Sequence, residues 1–283
     1  MKNEIDLQHL ARQWGANAVP FTPPGAQDWL ETPAVHKAFG HLSQTAALRS
    51  VLLLSGPNGV GKSAVAGRWM RSLDERLFHP LCLTQATLSG SGILGSLAVK
   101  LGKPCSFRRE RNLQLIEQAL GELDRRILVL VLDEAQNYAH SSLEEVRLLL
   151  GLNLPEQPAF ALILIGDEYL LSSLKLRHHR ALYSRLACQV SLPAWDGAQC
   201  TQYLASALVA AGLSSQILEP PAGELLSSAS GGLPRSLCLL ARAAWISAAT
   251  QGAQKITAAH VQSALETVPC VPALHGGSAT SQT

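Results

Sequence analysis

Eight consecutive residues, Gly56, Pro57, Asn58, Gly59, Val60, Gly61, Lys62 and Ser63, satisfy the spacing G-x-x-x-x-G-K-[ST]. Each position has its chemistry. Glycines let main-chain N–H groups curl around phosphate oxygens, and a helix opening at Lys62 adds the positive end of its dipole. Lys62 reaches β- and γ-phosphates, and the Ser63 hydroxyl is placed to bind magnesium. Pro57, Asn58, Gly59, Val60 and Ala64 complete the loop and first helical turn around a nucleotide. A second stretch, RRILVLVLDEAQ, ends an apolar run with Asp133 and Glu134. Asp133 suits the magnesium shell, and Glu134 suits the polarising of an attacking water. A Gly-rich turn ending in Lys-Ser, or an acidic turn closing a strand, is ordinary when alone. Together they predict magnesium-dependent hydrolysis of a nucleoside triphosphate. The sequence has no Asn-Lys-x-Asp guanine reader, which favours ATP. Val19, Pro20 and Phe21 are candidates for apolar contacts with adenine.

Such groups must be held by a scaffold, and the pattern of apolar runs supplies one. Short apolar stretches bounded by turn residues occur at Val51 to Leu54, Pro80 to Leu83, Ile127 to Leu132, Ala161 to Ile165 and Cys188 to Leu192. Helical stretches separate them. Continuous apolar strands are covered on both faces, as parallel strands are, so the spacing predicts an α/β core. In such sheets ligands bind beyond the carboxyl ends of the strands, where both motifs fall. After LPAWDG the composition turns to Ala, Leu, Ser and Gln at helical spacing. Helices are predicted near Ala198 to Ala211, Pro221 to Ser228, Leu233 to Thr250 and Thr257 to Glu266, the last capped by Thr257. The expected organisation is an N-terminal helix and Pro-rich docking segment over 1–45, an ATPase core over 46–193, a helical domain over 194–270 and a disordered tail over 271–283.

Composition narrows the partners without naming one. The chain has 283 residues, of which 47% are hydrophobic and 16% charged, with a net charge of +2. A bulk basic field is therefore excluded, and nucleic-acid binding would need a local patch. Six scattered cysteines show no CxxC pair and no metal-ligand spacing with histidine. The first residues carry acids in place of a signal-peptide apolar run, and ILVLVL is far too short to span a bilayer. A soluble, cytoplasmic chain without a membrane partner is expected.

Taken together, the motifs resemble AAA+ ATPases of the ExeA, TnsC, TniB and MuB type, the regulators of DNA transposition among them. The resemblance runs through Pro20-Phe21, GPNGVGKS, the LDEAQ of Leu132 to Gln136, ILIGDEYL at Ile163 to Leu170, YSRL at Tyr183 to Leu186 and GGLPRSL at Gly231 to Leu237. It covers nearly the whole chain except the tail. It implies a P-loop core with a five-stranded parallel sheet in the order 5-1-4-3-2, a C-terminal helical lid, and active sites shared between subunits of a ring or helical filament. It implies that Arg185 is an arginine finger supplied to a neighbour's ATP, which would stabilise charge on the γ-phosphate. Arg235, after Pro234 at a helix start, matches the lid's nucleotide-sensing cation; an ion pair with Glu224 is the alternative. Where many relatives place a polar first sensor, this chain has Gly166-Asp167. Asp167 would bind water or face a neighbour's Arg185, with Gln136 as another γ-phosphate sensor, and hydrolysis would be slow or partner-stimulated.

Two jobs fit the resemblance. One is ATP-dependent assembly on double-stranded DNA with recruitment or activation of a transposase; the other is ExeA-like assembly of a secretion channel. A helicase loader shares the same core. Secretion ATPases carry a transmembrane segment and an envelope domain after the ATPase, and the short polar tail here favours the DNA reading. The segment SLAVKLGKPCSFRRERN holds Lys100, Lys103, Arg108, Arg109 and Arg111 against one acid, Glu110. These are the DNA candidates, or else a solvated loop. As a basic cluster without aromatic interleaving, they imply backbone contacts with little sequence preference. A separate run, Tyr169 to Trp195, has four cations and no carboxylate. As one helix, its LRHHRALYSRL would put Leu182 and Leu186 on an apolar face with Arg185 at its edge.

Overall fold

The structure, a computed structural model, describes residues 6–22, 29–84, 90–152 and 157–269. In chain order the elements are α1 (Leu7–Gln13), α2 (Pro33–Ala47), β1 (Val51–Ser55), α3 (Lys62–Ser72), β2 (Phe78–Leu83), α4 (Gly90–Lys100), α5 (Arg109–Glu122), β3 (Ile127–Leu132), α6 (His140–Leu150), β4 (Ala161–Ile165), α7 (Leu170–Leu174), α8 (Arg180–Tyr183), β5 (Leu186–Ser191), α9 (Gly197–Ala210), α10 (Pro220–Ser230), α11 (Pro234–Thr250) and α12 (Ala258–Thr267). The chain divides into a sheet unit, Pro33–Pro193, and a helical unit, Met1–Thr32 with Ala194–Thr283.

In the sheet unit the five parallel strands run in the order β2-β3-β4-β1-β5, which is the expected 5-1-4-3-2 seen from the other edge. All of β1 and β4 and all but the first residue of β3 are buried, which accounts for their runs of Leu, Val and Ile. β3 and β4 have the bounds that the sequence predicts. β2 begins at Phe78, two residues before the predicted start. Pro80 is tolerated there because β2 is an edge strand and its missing N–H interrupts no central ladder. α2 belongs to this unit and buries Val35, Ala38, Leu42, Thr45 and Ala46 at helical spacing. The expected N-terminal segment 1–45 is therefore divided at Thr32 and Pro33.

LRHHRALYSRL is not one helix. A 3-10 turn at Arg177–His179, the four-residue α8 and a turn at Ser184-Arg185 lead into β5. Leu186 is taken by the sheet, where it pairs with Val51, while Leu182 is anchored at 2% exposure in the core beneath. The two leucines thus share no helical face.

The helical unit has its own core around Cys200, Tyr203, Leu237 and Trp245. Ala11, Val19, Phe21 and Leu30 join it, and Trp14 meets Trp245 edge-on at 6.4 Å. Val19 and Phe21, the adenine candidates, are 8% and 2% exposed and serve this core. Asp196 and Gln199 form a capping box on α9, and Thr257 caps α12 with His260. The predicted tail, 271–283, lies outside the described residues.

The connection from α4 to α5 is tied down at several points. Asn112, 1% exposed, accepts the Ser106 N–H on Oδ1 and donates Nδ2 to the Ser106 carbonyl, both at 2.9 Å. The Lys103 N–H donates to Ala98 O at 2.8 Å. Replacing Asn112→Ala leaves two main-chain groups without that partner, and urea unfolding is expected to show a loss of about 1 to 2 kcal/mol, with faster amide exchange at Ser106.

Candidate functional site

The phosphate loop begins where β1 ends. Gly56, Gly59 and Gly61 have φ of 151°, 87° and 99°, values that a residue with a Cβ adopts only under strain. A Cβ on Gly56 would also lie 2.5 Å from the Leu192 carbonyl oxygen, so the loop is pressed against the end of β5. Gly61, in left-handed conformation, precedes α3. Lys62 is only 6% exposed, and its Nζ donates to Gly56 O at 2.8 Å and Pro57 O at 3.1 Å. Val60 is buried; Asn58, Ser63 and Ala64 are exposed. A helix N-terminus, a loop-held ammonium and an exposed hydroxyl at the second helical position form a donor set that fits a magnesium-bound polyphosphate.

Asp133 emerges from β3 on the same edge of the sheet. Its N–H donates to Leu83 O at 3.0 Å, and its Oδ1 accepts the Glu134 N–H at 2.9 Å. The Tyr138 hydroxyl donates to the same Leu83 carbonyl at 3.0 Å, clamping the segment after Glu134 onto β2. Burial, aided by Cys82 and Asp133, pushes the Tyr138 hydroxyl up to about 12, so it keeps its proton and remains a donor. Burial and the Asp133 charge likewise raise the Cys82 thiol. Sequence reasoning missed Tyr138, whose only signal was an aromatic two residues beyond LDEAQ.

Glu134 is the exposed acid of the pair. Its backbone is left-handed, φ 52° and ψ 45°, which is uncommon for a side chain of this size and costs on the order of 1 kcal/mol. Gln136 holds the Glu134 side chain. The amide Nε2 donates to Glu134 Oε2 at 2.7 Å, while its Oε1 accepts the Asp167 N–H at 3.3 Å. The amide thus links the acid after β3 to the turn after β4. Gly166 makes room, because a Cβ there would lie 2.8 Å from Gln136 Oε1 and 2.3 Å from Leu170 Cδ2. The Asp167 carboxylate is engaged locally: Oδ1 accepts the Tyr169 and Leu170 N–H groups, each at 3.0 Å, and so caps α7.

Arg185 lies in the turn before β5, and its Nη1 donates to the Arg147 carbonyl in α6 at 3.2 Å. Arg147 itself forms a two-pronged pair with Glu144, which lowers the Glu144 carboxyl from its ordinary value. In the helical unit Arg235 is exposed in the first turn of α11, and among the described residues it makes no ion pair, so the alternative pairing with Glu224 is not formed.

The five DNA candidates separate into two groups. Lys103 is paired with Glu122 at 2.6 Å, and Arg109 grips both oxygens of Glu145 at 2.7 and 2.8 Å. These two fasten the loop and the start of α5. Lys100, Arg108 and Arg111 are exposed and have no carboxylate partner among the described residues. Nor does the cluster lack aromatics: Phe107 sits beside Arg108 at 109% exposure, correcting the expectation from sequence. No group of three metal-ligating side chains and no helix long and apolar enough to cross a membrane occurs among the described residues.

A parallel sheet in this order, with a phosphate loop and an acidic pair at its carboxyl edge and a helical unit in the same chain, has the arrangement of the AAA+ P-loop fold. The family model described as an AAA domain matches residues 46–174. It is 28% identical over 212 residues to general secretion pathway protein A of Aeromonas hydrophila; the match covers 72% of this chain and 38% of that protein. Its fold is similar to Cdc6p of Pyrobaculum aerophilum, with a TM-score of 0.69 and 17% identity over 86% of this chain and 69% of that one. It is also similar to the ORC1 protein of Aeropyrum pernix solved in complex with DNA, with a TM-score of 0.65 and 20% identity over 90% of this chain and 68% of that one.

If the Gln136 amide aims Glu134, then Gln136→Leu, which keeps the volume and removes both hydrogen bonds, should lower kcat for ATP hydrolysis at least about tenfold. Nucleotide affinity should stay within about twofold, because no phosphate-loop group is altered. Phosphate release and fluorescent-nucleotide titration measure the two quantities separately.

Proposed function

We propose that this chain is a magnesium-dependent ATP switch that assembles as a homo-oligomer, a ring or helical filament, on double-stranded DNA and regulates DNA transposition by recruiting or activating a transposase. The observation that carries the DNA part is the uncompensated charge of Lys100, Arg108 and Arg111 on the α4 and α5 region, beside two cations that instead build the loop. Cations left exposed at a rigid surface suit a phosphate backbone. The fold likeness to a protein solved with DNA supports it, and the LDEAQ and GGLPR motifs point to the branch that holds both the transposition regulators and ExeA.

In this reading Lys62 holds the β- and γ-phosphates, and Ser63 and Asp133 hold magnesium, which neutralises charge on the phosphate oxygens. Glu134 takes a proton from water as the water oxygen closes on the γ-phosphorus and the bond to the bridging oxygen breaks, giving ADP and phosphate. Arg185 acts on the ATP of a neighbouring subunit. Its support is a guanidinium held by a main-chain carbonyl rather than by an acid, a contact that costs little to exchange for phosphate oxygens.

Assembly of a secretion channel is the second reading, favoured by the 28% identity to general secretion pathway protein A, whose length this chain spans by about a third. Anisotropy of labelled duplex DNA separates the two. With ATP and magnesium the duplex is expected to bind in a salt-sensitive way, and rings or filaments should appear by electron microscopy; no duplex binding under these conditions favours the secretion reading. Arg185→Ala should bind ATP but not hydrolyse it, and mixing it with Lys62→Ala should restore partial turnover by pairing an intact finger with an intact pocket. Absence of rescue at every mixing ratio would rule out a shared site.

A further inference from the structure

The α4 to α5 connection presents one side chain in a way that packing does not explain. Phe107 is 109% exposed, while the loop that carries it is clamped by Asn112 onto Ser106, by Lys103 onto Glu122 and, just beyond it, by Arg109 onto Glu145. An aromatic ring usually gains by burial, and a ring left wholly in water is either on a loose segment or held out for a partner. The clamps point to the second case. Around it in the chain stand Lys100, Arg108 and Arg111, without carboxylate partners among the described residues, and one acid, Glu110. A ring carried on a clamped loop and flanked by uncompensated cations matches the surface of a nucleic acid, whose anionic backbone the cations can meet while its stacked bases accept an apolar ring.

We propose that Phe107 is a wedge that inserts between or against base pairs of double-stranded DNA, with Arg108, Lys100 and Arg111 holding the adjoining phosphates. This inference rests on the DNA reading above and adds a deformation of the duplex to it. Side chains that pry at a base step from a cationic surface unstack it and bend the helix, and the step that unstacks most easily, pyrimidine followed by purine, becomes the preferred one. A chain with no base-reading contacts would then still favour some targets over others. The bare phosphate contacts expected from the cations alone would not.

The test uses the full chain with ATP, magnesium and duplexes carrying 2-aminopurine, whose fluorescence rises on unstacking. Wild-type protein should brighten the probe on binding. Phe107→Ala should bind about tenfold more weakly, lose the brightening and keep the salt dependence; Phe107→Trp should retain both. Arg108→Ala should reduce the salt slope by about one and keep the brightening. Equal affinity and equal brightening for Phe107→Ala would overturn the wedge and leave the DNA reading standing. If wild-type protein that binds nucleotide does not bind duplex at all, both fail. Loss of self-association in Phe107→Ala with duplex binding intact assigns the ring to a subunit contact and also overturns the wedge.

Discussion

The interior strands β1, β3 and β4 are buried on both faces, so the polar groups of the sheet unit's site stand on the turns just beyond their carboxyl ends, and the site depends on that constraint. Registers Leu54 to Ile165 and Leu132 to Leu164 bring the three ends to one edge. Gly56, Asp133 and Gly166 are the next residues out. Each strand end then serves a different need. β1 requires residues that can turn sharply under Leu192, β3 delivers acids, and β4 delivers a glycine small enough for the Gln136 amide to pass. The apolar burial that stabilises the sheet is therefore what fixes the separation of the phosphate loop from the acids.

Gln136 turns this shared edge into a coupled one. A glutamate in left-handed backbone has no intrinsic reason to hold one direction, and its neighbour's amide supplies the direction through one strong hydrogen bond. The other end of the amide reads the main chain at Asp167, the residue that caps α7. From α7 the chain runs through Arg177–His179 and α8 to Arg185. A displacement of that segment would be transmitted to Glu134 through a contact of two hydrogen bonds, since packed elements move as units and not as continua.

Sequence and structure agree where one physical demand dominates. β3 and β4 were legible to the residue because burial on both faces leaves no alternative to an apolar run bounded by turns. The phosphate loop was legible because its chemistry is local. The run Leu176 to Leu186 was not, because pairing of Leu186 with Val51 is a long-range claim that helical periodicity cannot register. Nor could spacing show that Lys103 and Arg109 are engaged, as their partners Glu122 and Glu145 lie 19 and 36 residues away. Asp167 is a sensor candidate by position, and its hydrogen bonds to the Tyr169 and Leu170 N–H groups are visible only in the fold. Phe107 was visible in the letters, but exposure, which gives an aromatic its meaning there, is a property of the fold.

The acid-free run around Arg185 gains its sense from the neighbouring helix. α6 carries two adjacent carboxylates, Glu144 and Glu145, and either would be a natural partner for a nearby guanidinium. Each is already gripped by another arginine with both oxygens, Glu144 by Arg147 and Glu145 by Arg109. Bidentate pairs of this kind satisfy the carboxylate and leave little attraction for a further cation. Arg185 is then left with the Arg147 carbonyl, a partner without net charge. The acids of α6, the helix whose Arg147 carbonyl Arg185 meets, are thus engaged by other arginines. Two other arginines complete the arrangement, and one of them, Arg109, belongs to the same cluster that was first read as a nucleic-acid patch.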